Sequence, residues 1–324
     1  MEMSSVEDVY SFLDLLTSVP VAPFYENALI SLLISELPKR LKYSVSKIPG
    51  GILIRRQKEN YTGPKLYLSA HLDHPGFHIY GNNSKTAVAR KAGRIEIKNG
   101  LVIQGFSSMP ENNIPIVEGK IHKGQDEEYF LVKWAKPAFG INFSIVKSPI
   151  LSIDNKFIHC RSLDDHIGCA LILAVLQKIE NDNVIAVLNT AEEEGMIGSI
   201  KNMENNLISK KDIVISVEAT PHQKEARIGS GAVIRSGDAL EKFTTSATSW
   251  LKKIASTLPY EYQVSRPTSG NTEGAVYASY GMKVAGISIP INNYHNKNMQ
   301  AESAKISDII SAYALLAAVV KRFQ

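Results

Sequence analysis

The chain has only two cysteines in 324 residues, Cys160 and Cys169. That excludes a disulfide-stapled scaffold and suits a reducing compartment, with both thiols expected to be ordinary buried groups. Charge of neither sign dominates: 36 lysines and arginines face 32 aspartates and glutamates, a net +4 at pH 7. With no basic run either, a nucleic-acid partner is not expected. No apolar stretch approaches the ~20 residues of a membrane span. The most apolar tail run, 309–320, stops at Lys321 and Arg322 and reads as a buried helix. Residues 1–8 are polar and acidic, unlike a secretory signal. A serine-nucleophile motif of the Gly-x-Ser-x-Gly type is missing, as is a phosphate-binding Gly-x-x-x-x-Gly-Lys loop. No internal repeat or low-complexity tract stands in their place. What remains is a cytoplasmic globular chain with no membrane partner, 44% apolar and 21% charged. It is long enough for one large domain and a smaller one.

Apolar residues at helical spacing predict helices over 6–16 and 25–37, separated by Pro20 and Pro23. Alternation predicts strands at 43–45 and 52–54 around Gly50-Gly51. The apolar run 66–70 ends abruptly at His71-Leu72-Asp73, as a central strand does when it delivers polar groups at its end. From residue 85 to 150 the texture changes. Short alternating runs (94–97, 101–103, 116–121, 129–134, 142–146) are split by glycines, prolines and charged turns. This reads as an inserted β-rich domain, leaving 1–84 and 151–324 as one larger domain. Helical spacing returns after Asp164-Asp165 through residue 178. Apolar strands follow at 184–188 and 213–217, a helix at 196–207, a late strand at 283–289 and a closing helix at 304–322. Strands alternating with helices predict an α/β fold with a mostly parallel sheet flanked by helices.

Five places put carboxylates or imidazoles at expected strand ends: His71 with Asp73, Asp164 with Asp165, the run Glu192-Glu193-Glu194, Glu218, and His295. In open α/β sheets the ligand crevice lies at the carboxyl ends of the strands, so groups distant in sequence converge there. Clustered acids repel one another unless cations hold them, and imidazole nitrogen with carboxylate oxygen is the donor set of zinc-like ions. Each group also has a plain structural reading. Asp73 caps a helix, Asp164-Asp165 opens one, the glutamate run is a charged first turn, and His295 decorates a polar loop. Their joint placement favours the metal reading.

The quoted segments Ala70-His71-Leu72-Asp73, Leu163-Asp164-Asp165-His166-Ile167-Gly168, Glu192-Glu193-Glu194-Gly195-Met196-Ile197-Gly198-Ser199, Val217-Glu218 and Tyr294-His295 resemble the co-catalytic di-zinc exopeptidases. Their order runs through the whole chain, beginning with Glu26 in the early helix. The long β-like stretch between Asp73 and Asp164 is most similar to the glutamyl and deblocking aminopeptidase branch, which carries an inserted β-barrel at this point. The carboxypeptidase and aminoacylase branch carries its extra domain after the acid matching Glu218, where this chain has too few residues. The resemblance implies a metallohydrolase, a metal-dependent aminopeptidase acting on peptide or small amide substrates. It implies two divalent ions, zinc first, with cobalt and manganese as alternatives. His71, Asp164 and Glu218 would hold one, and Asp164, Glu193 and His295 the other, with Asp164 bridging. Asp73 would orient the His71 ring, and Glu192 would be the general base. It further implies a cis peptide at Asp164-Asp165 and a homo-oligomer.

Some positions depart from the family pattern. His166 stands where an arginine is usual, and Glu218 where an aspartate is. The late Pro-x-Arg-Tyr-x-His motif reads Pro290-Ile291-Asn292-Asn293-Tyr294-His295, without its arginine and with a shorter Tyr-His spacing. Gly270-Asn271-Thr272-Glu273 resembles a Gly-x-Thr-Asp element that helps shape the pocket. Two alternatives therefore stay open: a deacylase or carboxypeptidase on N-acyl or amide substrates, and an inactive relative serving as a binding or assembly module. His166 is weighed as a substrate-contacting group, and His74 and His78 as surface or outer-sphere groups.

Overall fold

A computed structural model describes residues 2–56, 63–122, 127–267 and 270–323. The chain opens with helices α1 (Glu2–Leu16) and α2 (Asn27–Arg40), then strands β1 (Ser44–Ile48), β2 (Gly51–Arg55) and β3 (Leu66–His71). Six strands follow as one unit: β4 (Gly76–Asn83), β5 (Thr86–Ala92), β6 (Val102–Phe106), β7 (Val117–His122), β8 (Tyr129–Trp134) and β9 (Phe143–Val146). The chain returns through β10 (Leu151–Ile153) and β11 (Phe157–Cys160) to α3 (Leu163–Lys178), β12 (Val184–Asn189), α4 (Ile197–Glu204) and β13 (Ile213–Pro221). It finishes with β14 (Val233–Arg235), α5 (Thr245–Ala255), β15 (Gln263–Ser265), α6 (Glu273–Ser279), β16 (Lys283–Asn292), β17 (Glu302–Lys305) and α7 (Ile306–Arg322).

The large sheet has eleven strands, nine of them in the order β1-β2-β12-β3-β13-β16-β17-β11-β10, with β14 and β15 attached through β16. The fold is α/β, and parallel pairing is concentrated at its centre, where β12, β3, β13 and β16 run side by side. Antiparallel strands flank that centre on both sides. The central strands are buried on both faces, which accounts for the continuous apolar runs in the sequence. Helices α1, α3, α5 and α7 pack on one face, and α4 and α6 on the other. Within α3 every residue from Leu163 to Leu176 is buried. It is apolar all round because neighbours surround it, and not only on the one face its spacing suggested.

Strands β4-β5-β8-β7-β6-β9 close into a barrel with its own apolar core. The barrel takes in β4, which lies ahead of residue 85 where the sequence reading opened the insert. The alternating run 94–97, expected as a strand, is not one. It lies in the connection from β5 to β6, and it bridges to the segment between β16 and β17 through its Arg94 carbonyl, which is taken by the ring of His295.

Candidate metal centre

The parallel centre of the sheet sets the site. His71 ends β3, and its register partner on β12 is Asn189, so the loop that follows β12 carries Glu192 and Glu193 beside it. On the other side of β3 lies β13, which continues past Glu218 to Pro221 because it stays paired with β16 as far as Ile291. Asp164 stands at the entrance to α3, where it and Asp165 have non-helical backbone angles and a cis peptide joins them. Gly168 explains itself one turn later. A Cβ there would lie 2.5 Å from an Asp165 oxygen and 2.6 Å from the Val217 carbonyl, so only glycine lets α3 approach β13. His295 follows β16 in a tight segment in which Asn293, His295, Asn296 and Asn298 are all left-handed. Asparagine tolerates that conformation better than most residues, so the asparagine-rich run builds the turn.

These elements bring the expected residues together. His71 Nε2 lies 3.1 Å from Glu218 Oε1, 3.4 Å from Asp164 Oδ1 and 3.8 Å from Glu192 Oε2. His295 Nε2 lies 3.0 Å from Asp164 Oδ2 and 2.9 Å from Glu193 Oε1. The two oxygens of Asp164 therefore face two different imidazoles. Both rings are anchored behind: His71 Nδ1 lies 3.1 Å from the Asp73 carbonyl, and His295 Nδ1 meets the Arg94 carbonyl. Asp73 accepts the N–H groups of Glu192 and Glu193 at 3.0 and 3.1 Å, fixing the loop against β3. The shortened Tyr-His spacing and the missing arginine do not draw His295 away from Asp164.

Among the described residues two sets of three donors have atoms within 4.8 Å of one another, as one ion requires: His71, Asp165 and Glu218, and His71, Asp164 and Glu193. The first set raises the question of which aspartate faces the centre. Asp165 has its oxygens occupied, Oδ1 by the N–H groups of Gly168 and Ala219 and Oδ2 by that of His71. Asp164 has both oxygens turned to imidazoles. Asp164 is the better donor.

The electrostatics match a cation deficit. Burial alone would pull the His71 imidazole down, yet Glu218, Glu192, Asp164 and Asp73 push it well above its usual range. His295 behaves alike, with Glu193 and Asp164 overriding burial. Burial, then neighbouring carboxylates, raises Glu192 well above normal, and burial raises Glu218 to about 7. Asp164 goes the other way: burial opposes it, but hydrogen bonds to His295 and His71 hold it low. Glu218 Oε2 is buried without a hydrogen-bond partner. An orphaned carboxylate oxygen among acids and imidazoles fits divalent cations as the missing partners.

Two residues at the site, Glu302 and Arg235, escaped the sequence reading. Glu302, fully buried, accepts the Asp164 N–H at 2.9 Å and the His295 N–H at 2.7 Å, tying two donors together. Arg235 is buried beside Glu218, with Nε and Nη1 unpartnered. His166 faces no substrate space, since Ser162 and the Leu72 carbonyl occupy its two nitrogens. His74 and His78 are buried, not on the surface. His74 bonds the Asp164 carbonyl at 2.6 Å and Asn296 at 3.2 Å, and His78 bonds the Pro23 carbonyl. Glu26 buttresses the glutamate loop by accepting the Ala191 N–H at 2.9 Å. Glu273 lies beneath the site, bonded to Ser69.

A family model described as M42 glutamyl aminopeptidase matches residues 139–315. Among solved structures, an aminopeptidase from the archaeon Desulfurococcus kamchatkensis has a TM-score of 0.82 at 16% identity, over 98% of this chain and 95% of its own. A TET aminopeptidase from a marine-sediment Thaumarchaeota archaeon gives 0.82 at 15% identity, over 99% and 98%. The TET1 peptidase of Pyrococcus horikoshii, described as assembling into a tetrahedron or a large octahedral shell, gives 0.79 at 18% identity, over 98% and 100%. These likenesses extend over the barrel as well as the large sheet.

Proposed function

The chain belongs to the M42 glutamyl aminopeptidase family and is a metal-dependent aminopeptidase; from that premise we propose which residues do the work. One divalent ion would be held by His71, Asp164 and Glu218, and a second by Asp164, Glu193 and His295. The observation that carries this reading is the division of Asp164, whose Oδ1 faces His71 and whose Oδ2 faces His295. Zinc suits the mixed nitrogen and oxygen donors, with cobalt and manganese as alternatives. Bound there, the ions would lower the pKa of a water molecule and polarise the scissile carbonyl.

Glu192 is the general base. Its carboxylate accepts the proton of the attacking water and returns it to the leaving amine. Burial raises the affinity of Glu192 for a proton, the direction needed by a group that takes a proton and returns it. Asp73 is a positioning residue: its oxygens hold the backbone of Glu192 and Glu193, and its carbonyl orients His71. Arg235 offsets part of the buried negative charge around Glu218. The family match favours this reading over deacylase, carboxypeptidase or inactive module.

Peptides or small aminoacyl amides are the substrates we expect. We take the barrel as an inserted domain, as expected for 85–150 but starting earlier. A homo-oligomer is the working assembly, by analogy with the shells described for the Pyrococcus horikoshii relative, and the cytoplasm is the working location. Among the described residues no helix is long and apolar enough to cross a membrane.

The test is Glu192→Gln. Metal content should stay at the wild-type level while turnover of aminoacyl anilides falls about 10²–10⁴-fold. A near-normal rate with metals retained would remove Glu192 from the role of base.

A further inference from the structure

The run Glu192-Glu193-Glu194 leaves its third member outside the chemistry. Glu194 turns away from the imidazoles and towards the barrel. Its Oε1 accepts the Gly93 N–H at 3.1 Å, and its Oε2 meets Arg90 Nη2 at 3.1 Å. Arg90 belongs to β5, and Gly93 follows that strand directly. Arg90 is itself preset by Glu128 of the barrel, which accepts from its Nε at 2.7 Å.

The same stretch goes on to a second anchor. Its next residue, Arg94, supplies the carbonyl that His295 Nδ1 donates to, and Lys98 Nζ bonds Asn298 Oδ1 at 2.6 Å in the turn that carries His295. Residues 90–98 thus grip both segments that bring Glu193 and His295 to the centre. The His71 and Glu218 side is held differently. His71 leans on Asp73, and Glu218 rises from the middle of β13.

We propose that the 90–98 stretch of the barrel is a positioning element for the Glu193–His295 metal position, with Glu194 and Arg90 as its positioning residues. The proposal rests on the two-ion reading above. Asp73 holds the Glu193 N–H from one side, and two hydrogen bonds on Glu194, one charge-assisted, hold the next residue from the barrel side, so that together they set the direction of the Glu193 carboxylate. A carbonyl against Nδ1 ties up that nitrogen as a donor, so Nε2, which faces Asp164 and Glu193, is the nitrogen that an ion would take. The barrel is then part of the catalytic centre through what it holds, without contributing a metal ligand.

The test is stepwise binding of zinc to metal-stripped full-length protein, followed by calorimetry. His71→Ala and His295→Ala identify which step belongs to which position. Glu194→Ala and Arg90→Met should each weaken the step lost in His295→Ala by about tenfold, the low end of what outer partners of a metal ligand are worth. The step lost in His71→Ala should stay within about twofold. The double variant should be little worse than Glu194→Ala, because both changes break one contact, and Arg90→Lys should recover part of the loss. Arg90→Met keeps the proposal open to refutation should Glu194→Ala not fold, since the Arg90 side chain is 28% exposed at the barrel edge. If His295→Ala removes a step while Glu194→Ala and Arg90→Met leave both intact, the latch is refuted and the metal assignment stands. Equal weakening of both steps refutes it too, as general loosening of the fold. If His295→Ala itself leaves both steps unchanged, the metal assignment fails and the latch with it.

Discussion

Glu273 offers a quantitative test of the buried electrostatics beneath the site. Its carboxyl is fully buried on α6, with Oε2 accepting from Ser69 Oγ at 2.5 Å and Oε1 lacking any partner. Ser69 in turn lies 3.0 Å from the Tyr277 hydroxyl and accepts from Asn189 Nδ2 at 2.9 Å. Burial, opposed by His71 and reinforced by Glu218, lifts the acid from 4.5 to about 8. The sign follows from linkage. The folded state keeps the proton up to about pH 8, whereas the unfolded chain releases it above 4.5. This group therefore favours folding fully below pH 4.5 and loses that contribution as pH rises towards 8. Each pH unit in the window costs about 1.4 kcal/mol, so the whole amounts to roughly 4–5 kcal/mol. Glu273→Gln keeps an acceptor for Ser69 and cannot ionise. The variant and the parent should be close in stability at pH 5, with the variant gaining on the parent steadily up to pH 8. Urea denaturation in the presence of chelator measures the gap without metal binding adding to it. A gap that is constant between pH 5 and pH 8 would refute the argument, since the other shifted acids are common to both proteins.

Metal removal should lower the melting temperature as well as abolish hydrolysis, because the carboxylates around Asp164 lose their counter-charge; calorimetric scans before and after adding back zinc, cobalt or manganese check this. Gly198→Ala should destabilise by about 1–3 kcal/mol. Its Cβ would lie 2.4 Å from the Thr190 carbonyl oxygen and 2.5 Å from that of Gly50, both backbone atoms unable to swing aside. Denaturant unfolding measures the loss, and an unchanged midpoint would mean that the glutamate loop is not packed tightly against the β1–β2 turn.

Much of the site was legible because its residues interrupt apolar patterns. His71 ends a run of buried residues, and Glu218 breaks another. The polar break also misled, since β13 does not end at residue 217. Parallel pairing with β16 carries it on to Pro221, and local alternation holds no record of a partner strand. The strand β4 was missed for a related reason. It pairs with β5 and β9, and the barrel closes only when all six strands are present. The bridge 94–97 alternates like a strand yet spends its hydrogen bonding elsewhere. Glu302 was invisible because a lone acid in a short stretch gives no sign that two distant N–H groups await it.

The deepest gap concerns the acids themselves, which look alike in sequence. The structure separates them by what their oxygens touch. Asp73, Asp165 and Glu302 are bound on both oxygens by backbone N–H groups, so they are committed to shaping the chain. Asp164 and Glu193 turn oxygens to imidazoles, and Glu218 turns one to His71 and leaves the other unpartnered. A carboxylate that already accepts N–H groups on both oxygens has fewer lone pairs left for an ion than one whose oxygens face imidazoles. Backbone hydrogen bonding to both oxygens is thus what sets Asp165 apart from Asp164, its neighbour in sequence, whose oxygens face His71 and His295.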